Sequence, residues 1–409
     1  MARSTNGSTV GHSVTGTTGA DAASPAHPAL LMQRSAEAIQ RVHLALSANG
    51  LEPRLAHAYD AAMSPRSLPL LVLIVAGISG CGAGPVQATL EAPTPIAHHQ
   101  RKSFQGEEVL HIVDPEACGL RSVHQGEARC IVPAGGTVTS VPILANAFEE
   151  LLPSWNVHVG AGASFTVDIA VATGTWDRSP WLRIGEWGAV HDDPGTTAFA
   201  GGEVAVDIFV GNRAFDHWWW RVQAHGGAAR IDALHAIATS RGGRWDSPSD
   251  HGLASGLLFE HRLEPRSQRL EDRSIAGRIC SPTAVAMLLE LHGVARSTSD
   301  VAALLHDARH DIYGNWNRAI QGAYEMGVPG RLERFSDWTR VRAYLENTGP
   351  LVISIGFDSG QLQGAPLDAT RGHLIVLCGI DGDGGVVCMD PAAPTLDSVR
   401  RVYAMPEIE

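Results

Sequence analysis

The spacing of apolar residues changes once along this chain, near residue 246, and that change limits what the chain can fold into. Before it, SFTVDIAV carries Phe165, Val167, Ile169 and Val171 at alternate positions, and GEVAVDIFV does the same with Val204, Val206, Ile208 and Val210. Period two sends successive side chains to opposite faces, so each segment reads as a half-buried strand. WLRIGEW (181–187), HWWWRVQAH (217–225) and RIDALHAIA (230–238) add further strands, with Gly, Asp, Asn and Pro between them. Short strands at such spacing predict an all-β, sandwich-like domain over residues 106–245.

Beyond residue 246 the spacing becomes helical. SPTAVAMLLELHG opens with Pro282, whose missing N–H costs nothing in a first turn, and stops at Gly293. TSDVAALLHDARH, NWNRAIQGAYEMG and SDWTRVRAYLENTG read as further short helices, with Ser or Asp caps and closing glycines among them. Strands return in PLVISIGF, GHLIVLCGI, GVVCMD and VRRVY, the middle pair joined by the turn DGDGG. Helices followed by an antiparallel sheet predict an α+β domain over 246–409. A chain of 409 residues, 44% hydrophobic and 18% charged, has the length and composition for two such cores and is not that of a disordered protein. With 31 basic and 43 acidic residues its net charge is −12, which argues against nucleic acid as a partner.

Residues 68–78, LPLLVLIVAGI, carry no charge, with Arg66 in front and Ser79, Gly80 and Cys81 behind. The run is too short to span a bilayer comfortably but fits a secretory h-region of about 7 to 15 residues; a buried strand or helix is the other use of such a run. The order Ile78, Ser79, Gly80, Cys81 resembles the lipobox of bacterial lipoproteins, which implies cleavage before Cys81 and a diacylglyceryl group on its sulfur. A signal peptide begins a protein, so Met63 is the expected start, with MSPRS as the basic n-region. Residues 1–62 are then an over-extended start or, if translated, a leader with helical spacing in RSAEAIQRVHLALSANG, behind which the run is an uncleaved signal anchor. On this reading 63–81 are the signal peptide, 82–105 are a Pro- and Ala-rich tether, and the protein is extracytoplasmic, lipid-anchored or secreted.

The cysteines stand at 81, 118, 130, 280, 378 and 388. With Cys81 lipidated an odd number remains, which in an exported protein points to one thiol kept free. Cys118 and Cys130 are near enough to bridge a hairpin, and Cys378 and Cys388 flank DGDGG, leaving Cys280 as the odd one out. It heads ICSPTAVAMLLELHG, where unpaired N–H groups and the helix dipole favour a thiolate. A cysteine nucleophile also needs a base and a group to orient that base. His373 opens the strand HLIVLCGI, Asp390 closes GVVCMD, and a hairpin at DGDGG brings the two together.

This ordered set, a helix-initial Cys, a Gly-His strand and an Asp-Pro strand end, is similar to papain-fold cysteine peptidases and most closely to the bacteriocin-processing (C-39) peptidases and their exported bacterial relatives. The resemblance runs from about residue 264 to 405. The strand-rich block before it, with FEELLPSWNV and WLRIGEW, resembles the β-domain that accompanies this peptidase in actinobacterial-type exported proteins. The resemblance implies a papain-like α+β domain after an all-β domain, a peptide or protein substrate, no cofactor, and acyl transfer. Cys280 would be the nucleophile, His373 the base and Asp390 its orienting group. The backbone N–H of Cys280 and an amide would form the oxyanion hole; the family places a glutamine before the cysteine, and Gln268 is assigned that role. Arg278 and Ile279 stand where close relatives are glycine-rich with an aromatic. No GxxxxGK[ST] loop of the family's transporter partner is present.

Other features have blander uses. His306 and His310 have the i, i+4 spacing of a zinc pair but lack HExxH and a third ligand, so no metal is expected. DGDGG has Ala392 where a calcium loop carries its glutamate, so it reads as a turn. Of the consecutive Trp218, Trp219 and Trp220, at least one must face away from the strand's core side, which packing or a glycan- or peptide-binding surface would use. The leading functional expectation is an exported cysteine peptidase; a cell-wall amidase of the same fold and a catalytically silent surface binding module are the alternatives.

Overall fold

The switch in periodicity marks the passage from one sheet to another. The computed structural model describes residues 71–75, 99–113, 120–124, 127–174, 177–189, 192–241 and 259–408; for 71–75, 120–124 and 127–128 it gives the backbone. In chain order the elements are β1 (Leu71–Val75), β2 (His99–Gln105), α1 (Glu108–Ile112), β3 (Leu120–His124), β4 (Glu127–Val132), β5 (Thr137–Thr139), β6 (Ile143–Val159), β7 (Ser164–Ala172) and β8 (Leu182–Trp187). Then come β9 (Ala198–Phe199), β10 (Gly202–Ala205), β11 (Ile208–His225), β12 (Ala229–Thr239) and β13 (Phe259–Glu260). The C-terminal part adds α2 (Cys280–Leu291), α3 (Thr298–Leu305), α4 (Trp316–Glu325), β14 (Gly330–Glu333), α5 (Trp338–Asn347), β15 (Leu351–Phe357), β16 (Thr370–Ile380), β17 (Val386–Met389), β18 (Arg400–Tyr403) and α6 (Met405–Ile408).

Two long strands shape the N-terminal β domain. The first half of β11 pairs with β6, from Phe209 opposite Leu151 to Trp218 opposite Ile143, while its second half pairs with β7. The second half of β6 pairs instead with β12. Because each long strand changes partner midway, with register shifts in between, one sheet bends over its own core. That core holds Trp155, Trp218, Trp220, Phe148, Phe165 and Phe209, all buried. Burying a side chain such as Phe contributes about 1.5 to 3 kcal/mol.

Three readings of this domain change. First, β7 is buried on both faces: Phe165, Val167, Ile169 and Val171 enter the core, while Asp168 on the other face is covered by Arg183 at 2.7 Å and Arg221 at 2.7 Å. Second, GEVAVDIFV is not one strand. It is the hairpin β10–β11, with Ala205 opposite Ile208 and Val206 at a φ of 64° in the turn. A β-branched residue is strained there, and nothing in the apolar spacing signals it. Third, Trp218 and Trp220 enter the core and Trp219 faces the other way, but it is only 7% exposed. Ala170, Ala172 and Trp181 pack with it, and the Arg178 guanidinium lies 4.8 Å from the Trp181 ring and 5.8 Å from the Trp219 ring. Packing and cation–π contacts take the face that sugar stacking would need.

In the C-terminal part the predicted helices form at α2 to α5. Ser297, Asn315 and Asp337 cap α3, α4 and α5 by accepting the N–H groups of Asp300, Arg318 and Arg340. The sheet runs β14–β1–β15–β16–β17–β18, with β13 beside β16. DGDGG is the turn between β16 and β17, its Asp381 carboxylate accepting the Asp383 and Gly385 N–H groups. The short strand β14 was not read from the sequence.

The apolar run also takes a place in this sheet. Its strand β1 lies parallel between β14 and β15, with Leu71 opposite Gly330 and Leu73 opposite Val352. Val, Leu and Ile suit a central parallel strand as well as they suit an h-region, and this is the use the fold makes of them. Residues 1–70 and 76–98, Cys81 among them, lie outside the described residues, as does Cys118.

Cys378 and Cys388 do not bridge. A register shift places Leu377 opposite Cys388 and Gly379 opposite Val387. Cys378 therefore points to the layer holding α2 and Cys388 to the layer on the other side of the sheet. Both are free thiols.

Candidate active site

Helix α2 presents Cys280 as its first residue. No side chain caps this terminus, and Ile279 before it is fully buried, so the thiol sits at an open helix start on a fixed backbone. Helix α2 packs against β16, which carries His373 opposite Ile355 of β15. Asp390 follows β17, and its N–H donates to Val399 O at 2.7 Å as the chain turns towards β18. His373 and Asp390 are 2% and 1% exposed, while Cys280 is partly open to solvent.

The three side chains come together. His373 Nε2 and Asp390 Oδ1 are 2.8 Å apart, and the Cys280 thiol lies near enough to the His373 imidazole for each to shift the other's ionisation. Asp390 is itself held: Oδ1 accepts the Ala392 N–H at 2.9 Å and Oδ2 accepts the Tyr403 hydroxyl at 2.9 Å. Tyr403 is buried at the end of β18, where its hydroxyl needs a partner.

Burial pushes the Cys280 thiol up, but the His373 hydrogen bond and charge, with the Leu374 and Ser281 N–H groups, outweigh it and bring the pKa below 9.0. Burial works against the charged form of His373, yet the bonds to Asp390 and Cys280 prevail, and its pKa is pushed up to about 9. Burial raises Asp390 as well, and His373, Ala392 and Tyr403 together hold it below 3.8. These shifts favour a thiolate–imidazolium pair oriented by a carboxylate, a nucleophile that carries its own proton donor. By contrast, burial pushes Cys378 up to about 12 and holds Cys388 well above the ordinary thiol value.

Gln268 reaches the same neighbourhood. Its backbone N–H donates to Pro391 O at 2.8 Å, next to Asp390, and its Nε2 donates to Ala276 O at 2.9 Å, just upstream of Cys280. One hydrogen of that amide is thereby used and a second is left over. His306 and His310 do not form a pair. Helix α3 ends at Leu305, so the helical spacing lapses, and His306 turns to Asp311 at 3.0 Å while His310 turns to Asp307 at 2.9 Å. Among the described residues no group of three His, Cys, Asp or Glu side chains could hold a metal.

Sequence reading missed Tyr403, the orienting partner of Asp390. Its signal was the aromatic closing VRRVY, which strand alternation alone could not aim. It also missed the segment 306–315 between α3 and α4, whose Asp311 and Tyr313 hold Arg278. Arg278 pairs with Asp311 at 3.0 Å and lies 5.4 Å from the Tyr313 ring centre.

Comparisons with known proteins find two family matches along the chain. Residues 262–409 match the family described as Peptidase_C39 like, and residues 120–238 match the Peptidase C39 N-terminal domain. No curated protein matches. Among solved structures, that of the infectious bursal disease virus Gt strain shares 9% identity over 40% of this chain and 38% of that chain, with a TM-score of 0.22. The VP2 subviral particle of the same virus shares 10% identity over 41% and 39%, again at 0.22. The chain thus spans well under half the length of those viral proteins, and likeness at that level carries no argument. The two family matches follow one another in the order of the two domains: the chain is a cysteine-type peptidase of the C39-like family, carrying the N-terminal domain of that family.

Proposed function

We propose that this protein hydrolyses peptide bonds through Cys280, His373 and Asp390 on a papain-like fold. The observation that carries the reading is the 2.8 Å contact of the His373 imidazole with the Asp390 carboxylate beside the thiol at the head of α2, where Cys280 is lowered while the sheet cysteines are raised. The Cys280 sulfur attacks the peptide carbonyl, and the carbonyl π-electrons move to oxygen. The oxyanion is taken up by the Cys280 N–H and the Gln268 amide. As the tetrahedral species collapses, the C–N bond breaks and His373 gives its proton to the leaving amine. Water, deprotonated by His373, then cleaves the thioester and restores the thiol. Asp390 keeps the imidazole in the tautomer and orientation that both steps require.

The test is alkylation by iodoacetamide at pH 7, followed residue by residue, together with turnover of a fluorogenic peptide library. Cys280 should label far faster than Cys378 and Cys388, and Cys280→Ser should abolish turnover. Labelling of Cys280 at an ordinary thiol rate would leave a catalytically silent binding module, and fragments released from peptidoglycan, with peptides uncut, would turn the reading to a cell-wall amidase.

The proposal includes export, with 63–81 as signal peptide, Cys81 as the lipidated residue and the domains held outside the membrane. What supports it is the order of basic flank, apolar run and lipobox in the sequence. Processing before Cys81 removes β1, so the sheet strand and the h-region are exclusive uses of the same residues. A diacylglyceryl-modified Cys81 at the native N-terminus is the expected mass-spectrometric result; a native chain that keeps residues 71–75 overturns it.

A further inference from the structure

The segment 306–315 faces two ways. Towards the nucleophile, Asp311 pairs with Arg278 and with His306, and the Tyr313 ring packs on His306 at 4.7 Å between centres while receiving the Arg278 guanidinium. Arg278 is exposed, and the backbone it carries leads through buried Ile279 to Cys280. Asp311 sits at a φ of 52°, a left-handed turn conformation that aspartate tolerates.

Towards the β domain, the same segment is bolted down. Both carboxylate oxygens of Glu186 on β8 accept from Arg309, each at 2.9 Å, and Glu186 is nearly buried. Bidentate pairing of this kind fixes orientation as well as distance. Arg318 donates to the Glu186 carbonyl at 3.2 Å and to the carbonyls of Leu304 and Leu305 at 3.4 Å, tying the end of α3 to β8. Asp207, in the strained β10–β11 turn beside Val206, accepts the Trp316 N–H at 2.6 Å at the head of α4, where an acid is favoured. Further along α4, Gln321 exchanges two hydrogen bonds with the backbone of Val157, and Gly322 lets the helix close on α3, since an added Cβ there would lie 2.1 Å from Leu305 Cδ2.

We propose that the N-terminal β domain is part of the scaffold of the catalytic site, with Glu186 and Arg309 acting as positioning residues that hold Arg278, and through it Cys280, by way of the segment 306–315. This rests on the peptidase reading above and extends it to the accessory domain, which serves the chemistry from within the same chain and is not an appended binding module. Displacement of about 1 Å at a reacting group can cost about 100-fold in rate, so a bolt at the far end of a short segment has leverage.

The experiment uses the full chain and the best-cleaved member of a fluorogenic peptide library. Arg309→Ala and the near-isosteric Glu186→Gln should each lower kcat/KM about tenfold, mainly through kcat, with melting temperature followed alongside. Arg278→Ala should do the same, and Arg309→Ala combined with Arg278→Ala should be no worse than the more damaging single change, because both break one line of support. The reversed pair Glu186→Arg with Arg309→Glu should recover much of the loss, whereas Arg342→Ala, which breaks an i, i+4 pair with Glu346 on α5, away from this segment, should leave kcat/KM unchanged. Unaltered kcat/KM in both Glu186→Gln and Arg309→Ala, or effects that multiply with Arg278→Ala, would overturn the inference while the peptidase reading stands. A full chain that cleaves no peptide and whose Cys280 alkylates at an ordinary rate would remove the reading on which it rests, and the inference with it.

Discussion

At the head of α2 burial of a thiol is opposed by an imidazole and two backbone N–H groups; in the interior of the sheet, around Cys378 and Cys388, burial prevails. The two regions belong to one domain and share the strand β16, which carries both His373 and Cys378. They differ in what the sulfur meets: Cys280 meets His373, whereas Cys378 donates to the Val387 carbonyl at 3.3 Å, an acceptor that favours the protonated form. Removal from water by itself makes a thiol inert. Reactivity comes from partners that prefer the thiolate.

The largest effect should come from removing the sulfurs one at a time. Cys280→Ala should lower peptide turnover by at least about 10⁴-fold, with the fold intact by circular dichroism. Cys378→Ala and Cys388→Ala should leave turnover within a few-fold of the parent and cost about 1 kcal/mol each in urea unfolding, as small core deletions do. Equal loss from all three would erase the distinction between the regions.

Next, His373→Ala should move the thiol at residue 280 towards the behaviour of the sheet cysteines, because burial is then opposed only by the Leu374 and Ser281 N–H groups. Iodoacetamide labelling at pH 7 should slow, and turnover should fall about 10²- to 10⁴-fold. Asp390→Asn should produce a smaller loss of the same kind. Fast labelling that survives His373→Ala would mean the helix terminus alone activates the sulfur.

The pH profile sharpens the contrast further. Since the His373 pKa is raised to about 9, turnover should decline as pH rises through about 9, and its acid limb should lie below the ordinary thiol range. For folding the sign is the same: the stability contributed by His373 is fully present below 6.5 and is lost as pH rises through about 9. An alkaline limb near 6.5 would show that the imidazolium is not held by its partners.

The smallest effect should be that of Tyr403→Phe. Losing the hydroxyl that donates to Asp390 should cost about 1.5 to 3 kcal/mol of stability, as for a hydrogen bond to a charged group, with turnover reduced only a few-fold. A loss as large as that of Asp390→Asn would make Tyr403 equal in rank to the carboxylate.

Much of this was legible in the sequence where local chemistry decides. Pro282 and the apolar spacing behind it mark α2, and the thiol at its head follows from that. DGDGG marks a hairpin, which brings His373 towards Asp390. What was illegible depends on events between segments. A single register shift on β16 sends Cys378 and Cys388 to opposite faces, and one positive φ at Val206 turns an alternating run into a hairpin. Neither leaves a trace in composition or period. The bolt from Glu186 to Arg309 joins residues far apart in the chain whose charges look like ordinary surface charges until both domains are in place. The apolar run 68–78 is ambiguous for a different reason, since hydrophobicity alone suits both a membrane-directed segment and the middle of a parallel sheet.

The hydroxyl of Tyr403 sets an order of events during synthesis. A ribosome delivers Cys280 first, then His373, then Asp390, and the residue that steadies Asp390 only afterwards, on the strand that completes the antiparallel edge. Until β18 has zipped onto β17, the buried carboxylate lacks one of its donors and the nascent chain carries a thiol without its finished relay. The last strand of the sheet is thus also the one that completes the support of the carboxylate, so the site reaches its final geometry only when the C-terminal end of the domain is in place.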